Sequence, residues 1–467
     1  ERRRERRWVR GARSGPEEGG SLPRARMAAM EVAPEGDVHA DLRTLLTRPS
    51  PFANETGSLP NGEFAPSPEL LQTVATAKVL VVGAGGLGCE LLKDLALSGF
   101  RNIDVIDLDT IDVSNLNRQF LFRRKDVGRP KAVVAAEFIQ QRVPGVTVNA
   151  HHCKIQDFDE DYYAQFNVII SGLDNIEARR WLNSLLVGMV ELDEEGEVDP
   201  ESTLVPLIDG GTEGFKGQAR IVLPRITSCF ECSLDAFPPQ RAFPMCTIAE
   251  TPRLPEHCIA YAYMVEWEKQ FPGRKLDKDS PDDMRWVFET AERRANTFGI
   301  RGVNYSLTMG VVKNIIPAVA STNAIISAAC VNEALKLVTF ASQTLNSYFM
   351  YMGGTGVYTH SFEYGRKGDC LVCSADNSRN MSCPRGLKLS ELLDMLREDE
   401  ALRLKKPSVT TASKTLYMQA PPPLEQSTRP NLELTMGELV AEGESLTVTD
   451  PAFPPTMALT VNLTLTD

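Results

Sequence analysis

The chain has 467 residues, 42% of them hydrophobic, which is enough for two to four domains with packed cores. Its formal net charge is −12, from 50 Lys and Arg against 62 Asp and Glu, which argues against general nucleic-acid binding and leaves room for a basic partner surface. The most apolar long run, Ile315 to Cys330, is broken by Pro317 and by Ser321-Thr322-Asn323, so no membrane span is expected.

Ten cysteines with no signal peptide point to a reducing compartment, cytoplasm or nucleus, and to metal or catalytic roles rather than disulfides. Glu1 to Arg26 carries nine Arg and four Glu but almost no large apolar residues. It is expected to be disordered, or a leader translated ahead of a start at Met27, with a basic targeting arm as the alternative. Asp41 to Leu46 predicts a short helix, and Pro49 to Pro68 a linker, so residues 1–68 read as disordered or linking sequence.

Lys78 to Lys131 organises the rest. Lys78 to Val82 is a short apolar run that predicts a buried strand. Gly83-Ala84-Gly85-Gly86-Leu87-Gly88 follows at once, and Cys89 to Ser98 has helical spacing that Gly99 ends. Strand, glycine turn and helix make a nucleotide-binding unit, because the glycines admit a phosphate and the helix start offers free N–H groups. A second strand, Ile103 to Ile106, ends in Asp107 and Asp109, where an acid holds a ribose.

A lone glycine fingerprint does not separate a dinucleotide from a triphosphate. Asn115, Arg118 and Gln119 in SNLNRQF, and Lys131 in GRPKA, favour the triphosphate, since attack at an α-phosphate needs cations on its oxygens and a metal.

These residues resemble the adenylation domains of the ubiquitin-activating enzyme family, whose fold the bacterial molybdopterin- and thiamine-pathway adenylating enzymes share. The resemblance implies that Gly83, Gly85, Gly86, Gly88, Asp107, Asp109, Asn115, Arg118, Gln119 and Lys131 bind ATP. It also implies that Asp174, in Ser171-Gly172-Leu173-Asp174-Asn175 after the strand Val168 to Ile170, binds magnesium beside the nucleotide.

Lys131 to Gln141 predicts a helix, Val146 to Asn149 a strand and Arg179 to Val190 a helix. Glu191 to Glu201 is an acidic solvated loop. Leu204 to Gly217 reads as a strand and a glycine-rich turn, and Ala219 to Leu223 as another strand. The alternation predicts a mostly parallel sheet with helices on both faces, a Rossmann-like α/β domain.

Cys229-Phe230-Glu231-Cys232 and Cys370-Leu371-Val372-Cys373 are two C-x-x-C pairs. Each spacing suits two thiolates on one tetrahedral zinc, and four sulfurs close the shell, so the metal would clip distant segments together. Cys383 is left unassigned. Between the pairs, Cys246 in Phe243-Pro244-Met245-Cys246-Thr247 matches the family's catalytic cysteine, which forms a thioester with the modifier. Cys258 in PRLPEHCI is the competing thiol, in an apolar helical setting that favours packing. Arg220, after the glycine-rich turn, is placed on the path of the modifier's tail, where its charge would reject a tail carrying arginine.

Met264 to Asn296 predicts a short helical insert with a loop near Pro272 to Pro281. Tyr305 to Lys336 predicts helix returning to the nucleotide fold, and Tyr348 to Phe362 two strands around Gly353-Gly354. From Leu387 the character changes: Ser390 is read as the cap of an amphipathic helix with Leu392, Leu393 and Leu396 inward. Strands are predicted at Ser408 to Thr411, Thr415 to Gln419, Ser445 to Val448 and Ala458 to Leu465, and a helix from Thr435 to Glu442. This segment resembles the family's C-terminal ubiquitin-like, β-grasp domain, which recruits a conjugating enzyme.

The expected division is thus adenylation domain over 69–240 and 305–380, cysteine insert over 241–304 and ubiquitin-like domain over 386–467. Within the family, the short insert, PRLPEHCI and TRPNL resemble the catalytic subunits that serve the neddylation modifier. One nucleotide fold instead of the family's two implies a separate regulatory adenylation-fold chain in a heterodimer. The alternatives are a catalytic subunit for another modifier such as that of sumoylation, a scaffold with a dead nucleotide fold, or a nicotinamide oxidoreductase.

Overall fold

The computed structural model describes residues 38–49, 64–193, 196–199, 201–236, 252–274, 276–277, 280–312, 318–341, 348–374, 378–399, 402, 404–441 and 443–466. The expectations for Glu1 to Arg26, for most of the Pro49 to Pro68 linker and for Cys246 lie outside these residues.

Two helices, α1 (Ala40–Thr47) and α2 (Glu69–Thr76), precede the first sheet. That sheet interleaves β1 (Lys78–Val82), α3 (Gly86–Leu97), β2 (Asn102–Ile106), α4 (Lys131–Arg142), β3 (Thr147–His151), α5 (Glu160–Ala164), β4 (Val168–Ser171), α6 (Ile176–Gly188), β5 (Leu207–Glu213) and β6 (Lys216–Val222). β7 (Tyr348–Met352) and β8 (Tyr358–Phe362) complete it in the order β3-β2-β1-β4-β5-β6-β7-β8.

β3 to β5 pair parallel, and β5 through β8 pair antiparallel. The expectation of a mostly parallel sheet therefore holds for one half. The other half reverses because β5 and β6 are joined by the short turn at Gly214, too short for a crossover helix. The central parallel strands are buried on both faces: Val79 to Val82 on β1 and Val168 to Ser171 on β4 are covered. Chain order reverses between β1 and β4, so their carboxyl ends frame a crevice.

The insert holds α7 (Pro255–Tyr261), which runs through a π-helical turn at Ala262–Glu266 to Gln270, then α8 (Pro281–Thr297) and α9 (Tyr305–Val312). It has its own small core of Ile259, Trp267, Met284, Val287 and Val312. The predicted long helix from Tyr305 is thus two: α9, then α10 (Ala320–Thr339), which packs on α3, β5 and β6.

The C-terminal sheet has the order β11-β10-β12-β13-β9, with β9 (Ser378–Pro384), β10 (Ser408–Thr411), β11 (Thr415–Tyr417), β12 (Ser445–Thr449) and β13 (Leu459–Thr466). β9 had no strand signal in the sequence reading. It pairs parallel with β13 from Ser378 to Pro384, so the sheet takes in residues ahead of 386. Its helices are α11 (Leu389–Glu398), α12 (Pro422–Thr428) and α13 (Met436–Leu439).

Leu392, Leu393 and Leu396 are buried as expected. The cap of α11 is Lys388 rather than Ser390, which lies inside the first turn. Lys388 N–H donates to the Glu391 carboxylate at 2.9 Å, closing the helix start two residues earlier. Glu438 accepts from Thr435 N–H at 2.9 Å in the same way, but α13 stops at Leu439.

Candidate functional site

The glycine turn sits at the β1 end of the crevice. A β-carbon on Gly88 would collide with the Gly83 carbonyl oxygen, so only glycine lets the helix start fold back onto the strand end. Ala84 N–H donates to Asp107 Oδ2 at 2.6 Å and Asp109 N–H to Oδ1 at 2.8 Å. The end of β2 is thereby fastened to the turn. Burial raises the Asp107 carboxyl above the usual carboxylate range, while the Lys131 charge and these two N–H groups oppose the shift.

Lys131 begins α4. It is 7% exposed, and its ammonium lies 2.7 Å from Asp109 Oδ2. Gln119 is 3% exposed, and its carboxamide oxygen meets no donor among the described residues. Its amide nitrogen lies 4.0 Å from where a Gly85 β-carbon would be. A buried acceptor beside an open glycine cradle has the chemistry expected of a group satisfied by ligand or bridging water.

Asn115 caps a short turn, its Oδ1 accepting from Asp112 N–H at 2.9 Å. Arg118 is half-buried and donates to Ser114 O at 3.2 Å, a weak tether for a cation beside the cleft. Asp174 is exposed past β4, and Asn175 beside it caps α6 through a 2.7 Å bond from Ala178 N–H. Gly172, just before, donates to Val82 O at 2.8 Å, which brings this loop to the end of β1. The triphosphate fits this residue set, which offers a glycine cradle, a lysine, an arginine and an exposed carboxylate at one sheet edge.

Arg179 was not read as important from the sequence. It is buried, donating to Asp209 Oδ2 at 3.2 Å and Gly210 O at 2.8 Å, and so ties α6 to β5. Arg220, expected on the path of the modifier's tail, lies on β6. It is 3% exposed, 3.5 Å from Asp209 Oδ2, with its guanidinium 4.8 Å from the Phe230 ring centre and 5.0 Å from that of Tyr348.

The four predicted zinc cysteines come together. Cys229, Cys232, Cys370 and Cys373 have all sulfurs within 4.8 Å of one another, and all are buried. Sγ separations are 3.8 Å for Cys229–Cys232, 3.6 Å for Cys229–Cys370 and 3.4 Å for Cys232–Cys373. A tetrahedral zinc with Zn–S of about 2.3 Å sets such edges at about 3.8 Å, so the donors fit the ion. Burial holds the Cys229 thiol up, whereas hydrogen bonds from the other three sulfurs push Cys232 down. Cys383 is buried apart from this cluster, in the C-terminal sheet.

Cys258 lies inside α7, fully covered, and burial raises its thiol above the ordinary value. His257 Nδ1 accepts from Arg253 N–H at 3.1 Å, within its own turn.

The ThiF family model matches residues 62–372, and an E2 binding domain model matches residues 382–463. A NEDD8-activating enzyme E1 catalytic subunit of Dictyostelium discoideum is 53% identical over 91% of this chain and 96% of its own length. Proteins of the same description from Drosophila melanogaster and Arabidopsis thaliana are 49% and 48% identical, each over 90% of this chain and over 93% and 91% of their own lengths. With the nucleotide crevice and a second, ubiquitin-sized sheet in one chain, this similarity establishes that the chain belongs to the ThiF family and, within it, to the NEDD8-activating enzyme E1 catalytic subunits.

Proposed function

We propose that this chain activates NEDD8 with ATP and passes it to a conjugating enzyme. The observation that carries the reading is the glycine turn locked to Asp107, with Lys131 and Gln119 facing one crevice, in a chain that also holds an E2 binding domain.

A C-terminal carboxylate oxygen of the modifier attacks the α-phosphorus of ATP. The bond to the bridging oxygen breaks, and pyrophosphate leaves. The buried Lys131 ammonium and the α3 N-terminus stabilise the charge that builds on the phosphate oxygens. Arg118 and Asn115 reach the same phosphates, Asp107 holds the ribose, and Asp174 would hold a magnesium ion that neutralises the leaving pyrophosphate. The Cys246 thiolate then attacks the activated carbonyl; its C–S bond forms as the bond to AMP breaks. A second thiolate, on the conjugating enzyme, takes the acyl group in turn.

A regulatory adenylation-fold subunit completes the enzyme. Zinc on the four cysteines serves structure, since four sulfurs leave no open position for substrate. ATP–pyrophosphate exchange with NEDD8, ubiquitin and the sumoylation modifier tests the reading. NEDD8-dependent exchange is expected, and exchange driven equally by another modifier overturns the assignment.

A further inference from the structure

α10 returns to the nucleotide fold over a hundred residues after β5, and its first turns touch the glycine loop. Asn323 is 2% exposed there. A β-carbon on Gly86 would collide with its Nδ2, so Gly86 is small because this amide lies over it. The same point is 3.5 Å from Arg118 Cγ. Asn323 Oδ1 accepts from Thr212 Oγ1 at 2.6 Å, with the carboxamide oxygen facing β5 and the nitrogen facing the glycine turn. Among the described residues, Thr212 is the only hydrogen-bond partner of this side chain.

The helices bring a second contribution. Ser327 Oγ donates to Asp94 Oδ2 at 2.8 Å, while Asn323 meets Gly86. Contacts therefore advance in the same sense along α3 and α10, and both N-termini lie at the crevice end. Thr322 Oγ1 bonds Gly214 O at 2.8 Å, so the β5–β6 turn closes the same corner. Two helix starts and a fixed amide nitrogen converge between the glycine turn and the end of β5.

We propose that Asn323 contacts the substrate, its Nδ2 donating to an anionic oxygen where the modifier's carboxylate meets the α-phosphate. The proposal rests on the adenylation reading above. An amide held by one bond, with its donor aimed at a site of growing negative charge, stabilises that charge without reorganising. The oxygen belongs either to the carboxylate or to the phosphate, and kinetics separate the two.

Asn323→Asp keeps size and the Thr212 bond and removes the donor. Pyrophosphate exchange is measured in the enzyme assembled with its regulatory subunit, with melting temperature and zinc content recorded alongside. The expected result is a loss of about 10²–10³-fold in exchange turnover, typical of one missing oxyanion donor, in a protein that melts as wild type. A raised KM for NEDD8 alone assigns the carboxylate; a raised KM for ATP alone assigns the phosphate. Thr212→Val removes only the brace and is expected to lose less than Asn323→Asp.

Wild-type exchange in folded Asn323→Asp overturns the proposal, as does an equal loss in Thr212→Val. Should Asn323→Asp melt below assay temperature, Asn323→Ser is judged on the same criteria. Absence of exchange in the unmodified enzyme sinks the adenylation reading instead, and so is distinguishable.

Discussion

Arg180 and Glu231 form a buried two-pronged ion pair, Nε to Oε2 at 2.9 Å and a terminal nitrogen to Oε1 at 2.6 Å. Glu231 lies between the zinc-site residues Cys229 and Cys232. The same Arg180 nitrogen donates to Leu402 O at 2.9 Å, and the guanidinium lies 4.6 Å from the Phe453 ring centre. One arginine on α6 thus ties the adenylation fold, the four-cysteine centre and the C-terminal sheet together. Lys405 and Glu177 add a second, more exposed pair across the same boundary.

Removing one partner of a buried pair strands the other charge. Arg180→Ala is therefore expected to cost about 3–5 kcal/mol, and to loosen the C-terminal unit. Replacing both residues by apolar ones of similar volume should cost much less. Denaturant unfolding of the single and double variants checks this; equal losses refute the pairing argument.

The four-cysteine centre predicts about one zinc per chain. Cys370→Ser should lose zinc and thermal stability together, because the ion joins segments 141 residues apart. Elemental analysis of unchelated protein decides it, and metal-free protein of full stability would end the assignment.

The Lys131–Asp109 pair makes a prediction about the nucleotide site. Lys131→Ala should abolish adenylate formation by removing a buried cation from the phosphates, and should cost the fold little, since Asp109 is exposed and Asp107 keeps its two backbone N–H donors. The fold should thus survive where activity does not. Asp174→Ala should behave alike through the lost metal. Exchange near the wild-type rate in both variants contradicts the proposed roles.

The two thiols of the insert separate by reactivity. Cys246→Ala should keep pyrophosphate exchange and lose the thioester, and Cys246→Ser should accumulate a conjugate that resists reductant. Cys258→Ala should keep both exchange and the thioester, because its thiol packs inside a helix. Burial raises the Cys258 thiol above 9.0, and pushes Cys89 up to about 12. Both remain protonated at pH 8, so alkylation of native protein should spare them. Their neutral forms favour the folded state below pH 9.0, and for Cys89 that contribution is lost as pH rises toward 12. A reductant-sensitive conjugate surviving in Cys246→Ala but missing in Cys258→Ala would move the nucleophile.

By itself the sequence determined what near neighbours decide. Alternating or continuous apolar runs bounded by glycine set β1, α3, β2 and β4, and the C-x-x-C spacing presented each sulfur pair. The register of Asp107 at the end of β2 followed from the same local pattern. Only the tertiary structure decided what joins those pieces. Asn323 reaches Thr212 across 111 residues and Arg180 reaches Leu402 across 222, distances at which no periodicity carries information. β9 escaped notice because its exposed and half-exposed residues take their order from pairing with β13 rather than from their own hydrophobicity. The surroundings of Arg220 were hidden for the same reason: a residue's type shows that it is cationic, but only the packing of Phe230, Tyr348 and Asp209 around it shows that the cation is enclosed.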